Sequence, residues 1–123
     1  MKKVLVADGN TTTASLTRTL ARVTFGREAE YVSAASGPEA LQAAGRNKLD
    51  LIISEFRLAG TDGVETLKQI RARLGTNVPA VFTVTKIEQD YVRKRLPDRA
   101  AMIVRPFDRI SLEAAIRSVF EAA

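Results

Sequence analysis

One stretch of this 123-residue sequence, residues 91–109, concentrates its charge chemistry: Arg93, Lys94, Arg95, Arg99, Arg105 and Arg109 face only Asp98 and Asp108. That local +4 is nearly the whole net charge of +5, so the remaining chain is close to neutral. Five of the six bases are arginine, whose planar guanidinium suits bidentate contacts with phosphates and guanine edges. Anion recognition is therefore the chemistry on offer. Other chemistries are excluded, because the chain has no Cys and no His. A thiolate nucleophile, a zinc-thiolate site, a Ser-His-Asp triad and a histidine base all need one or the other. A second polar set, Asp8, Glu55, Thr83 or Thr85, and Arg105, stands at the ends of apolar runs.

Those runs are the elements that must position the polar residues. A short continuous apolar segment, the mark of a strand buried on both faces, predicts a strand over 3–7; 29–33 reads as a weaker second strand, and further strands are predicted over 49–54, 79–85, rich in β-branched residues, and 101–104. Helical spacing falls between them. Asp8-Gly9-Asn10-Thr11 starts a helix with Leu16, Leu20 and Val23 inward, and Ser36-Gly37-Pro38-Glu39 opens one with Leu41 and Ala44 inward. Val64, Leu67, Ile70 and Leu74 mark a third. A short fourth helix over 87–96 is stopped by Pro97, and a last one over 110–120 turns Leu112, Ile116 and Val119 inward. Five strands alternating with five helices predict an α/β fold, a doubly wound five-stranded parallel sheet in a single domain, 1–123. In such sheets function gathers at the carboxyl ends of the strands, where Asp8, Glu55, Thr83 or Thr85, and Arg105 fall. No apolar run is long enough for a bilayer, and Met1-Lys2-Lys3 leads only four apolar residues, so a cytoplasmic protein is expected. The chain stops with its last helix, which reads as a stand-alone protein.

Four segments carry a resemblance: Val4-Leu5-Val6-Ala7-Asp8, Asp50-Leu51-Ile52-Ile53-Ser54-Glu55, Asp62-Gly63, and Val104-Arg105-Pro106-Phe107. In this order, on this alternation, the chain resembles the receiver domain of bacterial two-component response regulators, the CheY-like or flavodoxin-like fold, over essentially its whole length. The resemblance implies a phosphoryl acceptor aspartate ending the third strand, two acids after the first strand holding Mg²⁺, a Thr or Ser ending the fourth and a Lys ending the fifth. This sequence departs at each acidic or basic position. It has Asp8-Gly9 for the acid pair, Glu55 for the acceptor, Arg105 for the lysine, and Met102 at an aromatic switch position. Thr83 lies 22 residues before Arg105 and Thr85 lies 30 after Glu55, so either fits the threonine position. Glu is a methylene longer than Asp, which shifts its carboxylate by ~1 Å, a costly displacement for in-line attack. Asp8 and Glu55 make a weak Mg²⁺ site at most. Glu55 instead puts a permanent charge roughly where a phosphoryl group would stand, with Arg105 as its partner. The same trio also fits an ion-pair cluster that only holds loops together. Asp62-Gly63 reads as a turn and Arg57 as a solvated loop residue.

With phosphorylation discounted, the basic segment Tyr91-Val92-Arg93-Lys94-Arg95-Leu96-Pro97-Asp98-Arg99 becomes the main clue. A guanine dinucleotide needs guanidinium groups for O6 and N7, a carboxylate for N1–H and N2–H, a stacking plane, and cations for two phosphates. Tyr91, Arg93, Arg95, Asp98, Arg99 and Arg105 offer all of these. Arg95-Leu96-Pro97-Asp98 also fits the Arg-x-x-Asp pattern of the inhibitory cyclic di-GMP site of diguanylate cyclases. The chain is similar to the Cle class of CheY-like regulators, which bind cyclic di-GMP through an arginine-rich segment and act on flagellar motility and surface attachment. The resemblance implies a non-enzymatic pseudo-receiver without cofactor, binding cyclic di-GMP through those six residues and acting on a protein partner such as the flagellar motor. Three alternatives stand beside it: a ligand-free interaction module with Glu55 as a built-in phosphomimetic, a working receiver that uses Glu55, or a solvated charge run with Tyr91 half-buried. A polynucleotide partner is poorly supported by a local +4 without a reading helix or stacking sheet.

Overall fold

The structure, a computed structural model, describes residues 2–121. Met1 and residues 122–123, on which the readings of the two chain ends partly rest, lie outside it. The five strands are β1 (Lys2–Ala7), β2 (Ala29–Ala34), β3 (Leu51–Glu55), β4 (Ala80–Val84) and β5 (Ala100–Val104). They form one parallel sheet in the order β2-β1-β3-β4-β5. The helices are α1 (Thr11–Phe25), α2 (Gly37–Arg46), α3 (Gly63–Leu74), α4 (Gln89–Arg93) and α5 (Arg109–Glu121). The doubly wound fold expected from the sequence is the fold observed. None of the described helices is long and apolar enough to cross a membrane.

Two-residue alternation along the strands splits the core. Leu5, Ala7, Ile52, Phe82 and Val84 pack with α2, α3 and α4. Val4, Val6, Leu51, Ile53 and Val81 pack with α1 and α5, where Leu112, Ile116 and Val119 point inward as expected. Local chemistry sets the helix starts. Asn10 caps α1 by accepting from the N–H groups of Thr12 (2.9 Å) and Thr13 (3.1 Å), and Ser36 caps α2 by accepting from Glu39 (3.2 Å).

Three expectations are corrected. On α1 the buried positions are Ala14, Thr17 and Ala21, while Leu16 and Val23 are exposed and Leu20 packs only partly. Helical spacing fits both stripes, and the small one lets α1 lie close to the sheet. The fourth helix is only Gln89–Arg93, half the expected length, flanked by turns. Asp62-Gly63 is no mere turn. Asp62 pairs with Arg57 in a short antiparallel ribbon, Arg57–Leu58 against Thr61–Asp62, and its Oδ1 caps α3 by accepting from the Glu65 N–H at 2.8 Å. Position 63 requires glycine, because a Cβ there would stand 2.7 Å from the Glu55 carbonyl oxygen.

Candidate functional site

At the carboxyl ends of the central strands, Asp8 follows β1 and Glu55 closes β3. Glu55 Oε1 accepts the Gly9 N–H at 2.6 Å, and Oε2 faces the Arg105 guanidinium at 3.6 Å. Arg105 reaches it from just beyond β5. Asp8 is buried, with Oδ1 accepting the Asn10 N–H (2.8 Å) and Oδ2 the Thr13 hydroxyl (2.7 Å). Burial pushes the Glu55 carboxyl above its usual range. The Asp8 charge pushes the same way, against the Gly9 bond and Arg105. Both oxygens of Asp8 and one of Glu55 are thus engaged, the other faces a cation, and Gly9 adds no carboxylate. Two carboxylates are a sparse donor set for octahedral Mg²⁺, and among the described residues no group of three or more acidic side chains gathers that could hold a metal ion.

The strand register sets Thr83 beside Glu55, and Thr83 is buried. Thr85 lies past the end of β4 and belongs to the turn before α4. Met102 pairs in register with Phe82 and packs against the α2–α4 side of the core.

The basic segment does not form one cluster. Tyr91, Arg93 and Arg95 share the exposed surface of α4 and its following turn. There the Arg95 guanidinium lies 3.4 Å from the centre of the Tyr91 ring, held by a 2.9 Å bond to the Tyr91 carbonyl, and Tyr91 leans on Phe56 at 5.7 Å. Arg93 pairs with Asp90 at 2.9 Å. Arg99, in contrast, stands at the amino end of β5, and Arg105 at the other end. Five extended residues between them put the two roughly 20 Å apart. Arg99 donates to the carbonyls of Asn77 (3.1 Å) and Val119 (3.4 Å), and its φ of 53° is left-handed. It is a neighbour of Arg71, whose pKa is lowered by burial and then by Arg99, with Asp98 acting in the opposite sense. The structure therefore brings together Tyr91 and Arg95, turns Arg93 to Asp90, and leaves Asp98 and Arg99 at the opposite end of the sheet from Arg105.

Sequence reasoning missed Glu88, a buried acid at the entry to α4. Its Oε1 accepts the Thr85 N–H at 2.9 Å, its own N–H reaches the Thr85 hydroxyl at 3.3 Å, and its Oε2 pairs with Arg57 Nε at 3.0 Å. Burial opposes its charge, but the Thr85 and Arg57 bonds outweigh that and hold its carboxyl below the usual range. The reciprocal bonds are those of a capping box, and Thr85-x-x-Glu88 is the signal that could have revealed it. Arg57, expected as a merely solvated loop residue, is exposed but ties the ribbon to α4.

Solved structures share this architecture. A response regulator receiver domain protein from Clostridium thermocellum superposes with a TM-score of 0.81 at 19% identity, covering 97% of this chain and 94% of that one. Vibrio cholerae chemotaxis protein CheY4 gives 0.78 at 23%, covering 97% and 98%. The receiver domain of the hybrid histidine kinase CckA gives 0.72 at 27%, covering 97% and 99%. The family model of the response regulator receiver domain matches residues 4–117, nearly the whole sequence. Fold and sequence agree: the chain belongs to the response regulator receiver domain family.

Proposed function

We propose that this receiver domain is a non-enzymatic, cytoplasmic signalling module that takes its input as bound cyclic di-GMP rather than as a phosphoryl group. Tyr91, Arg93 and Arg95 are its contacts, and a protein partner in flagellar motility or surface attachment receives the signal. The observation that carries the reading is the exposed Arg95–Tyr91 stack, 3.4 Å from guanidinium to ring centre. A guanidinium already seated over an aromatic ring is a ready platform for a base, and its ordering cost is met before the ligand arrives. Arg93 and Lys94 beside it are exposed and suited to phosphates. Asp98, Arg99 and Arg105 are not direct contacts in this reading, because their surroundings place them elsewhere.

At the strand ends, a glutamate that accepts the Gly9 N–H and faces Arg105 supports an input that is not phosphoryl transfer. The same Glu55 geometry favours a second reading, a ligand-free interaction module in which Glu55 is a built-in phosphomimetic. Calorimetric titration with cyclic di-GMP at physiological salt, with GTP as control, separates the two. The first reading expects saturable binding to the wild type, weakened about tenfold or more in Arg95→Ala and in Tyr91→Ala, as loss of one stacked base implies. No heat with the wild type would leave the second reading in its place.

A further inference from the structure

Beside the Arg95–Tyr91 stack runs a groove of about 550 Å³ between the ribbon and α4, walled by Phe56, Leu58, Ile87 and Tyr91 with Thr61 and Asp62. Its size falls within the range of small-molecule sites. We infer that this groove seats one guanine ring and that Asp62 is the residue that reads it, an assignment that rests on the cyclic di-GMP reading above.

Two independent features point there. The first is apolar. Ile87 is 95% exposed at the groove, and half-exposed Tyr91 lies one helical turn on. An isoleucine left wholly in water gains nothing for the fold, but it can cover the face of a planar ring. The second is electrostatic. One Asp62 oxygen caps α3, and its ribbon neighbour Arg57 turns to Glu88 instead, so Asp62 has no ion pair among the described residues. Guanine presents N1–H and N2–H as adjacent donors on its pairing edge, which match a carboxylate, whereas adenine presents the N1 lone pair there and is repelled. Arg95, over the Tyr91 ring that walls the groove, and Arg57, which lines it beside its partner Glu88, are the cations for the negative sugar-phosphate ring. Asp62 thus supplies the carboxylate that Asp98, at the far end of β5, does not.

The test is titration of the full chain with cyclic di-GMP and cyclic di-AMP, together with intermolecular nuclear Overhauser contacts from the guanine H8. Ile87→Ser leaves the fold untouched and is expected to weaken cyclic di-GMP binding about fivefold, the loss of one apolar contact. Asp62→Asn keeps an N-cap oxygen and is expected to erase most of the preference for guanine, about tenfold or more. Contacts from H8 to the Ile87 and Leu58 methyls are expected in the wild type. If the wild type binds but both variants match it and H8 reports other methyls, the groove assignment is overturned and the cyclic di-GMP reading stands. If the wild type binds neither dinucleotide, both fall.

Discussion

Glu55 carries its charge at a cost. It is largely buried, it has Asp8 as a neighbour, and Arg105 offsets only part of this at 3.6 Å. Because its folded-state pKa is raised, the protonated form favours folding. That contribution is present below the unfolded-state value and is lost as pH rises through the folded-state value. Glu55→Gln keeps the shape without the titration. It is therefore expected to raise the melting temperature at neutral pH, with the difference closing in acid below the ordinary carboxylate pKa. Thermal unfolding across that pH range checks it, and a melting temperature lowered at neutral pH would mean that the Arg105 pair outweighs burial. Asp8, Glu55 and Arg105 were legible as a group in the sequence because each ends or directly follows a strand. Glu88 was not, since its burial arises from the turn that folds it under Arg57.

At the scale of elements, α4 is the weak one. Five residues form few internal hydrogen bonds, so its position depends on the capping box of Thr85 and Glu88 and on buried Val92. Glu88→Ala leaves the Thr85 N–H unpaired and frees Arg57, an expected loss of about 1–3 kcal/mol. Hydrogen exchange should show the opening concentrated in α4 and the ribbon. The lowered pKa of Glu88 makes this support present above the unfolded-state carboxylate value, and it is lost as pH falls through the folded-state value. The central strands β1, β3 and β4 were readable because doubly buried parallel strands are continuous apolar runs, whereas edge strand β2, with Glu30 and Ser33, gave a weaker signal. The inward face of α1 was not, because Ala14, Thr17 and Ala21 are less conspicuous than Leu16 and Val23. Nor was the length of α4, set by its flanking turns more than by its spacing.

Across the whole molecule, the sheet keeps two sets of arginines apart. Arg105 serves the carboxyl end, while Arg71 and Arg99 clasp the amino end, Arg71 through the Val78 carbonyl at 2.7 Å. Six side chains within residues 91–105 looked like one ligand set because they are close in sequence, but a turn and the length of β5 carry them apart. Arg99→Ala removes the bonds to Asn77 and Val119 and is expected to cost about 1–2 kcal/mol. Its affinity for cyclic di-GMP should remain that of the wild type, the reverse of Arg95→Ala. A clear loss of affinity in calorimetry would return Arg99 to the ligand.

The position of Tyr91 also has an optical consequence. The chain has no Trp and two Tyr, and the other, Tyr31, lies on edge strand β2 with the Arg22 guanidinium 5.3 Å from its ring centre. Tyrosine emission therefore comes from two well-separated fluorophores, one of them on the α4 surface. The protein carries its own unlabelled reporter of that surface, and a Tyr31→Phe background would make the signal that of Tyr91 alone.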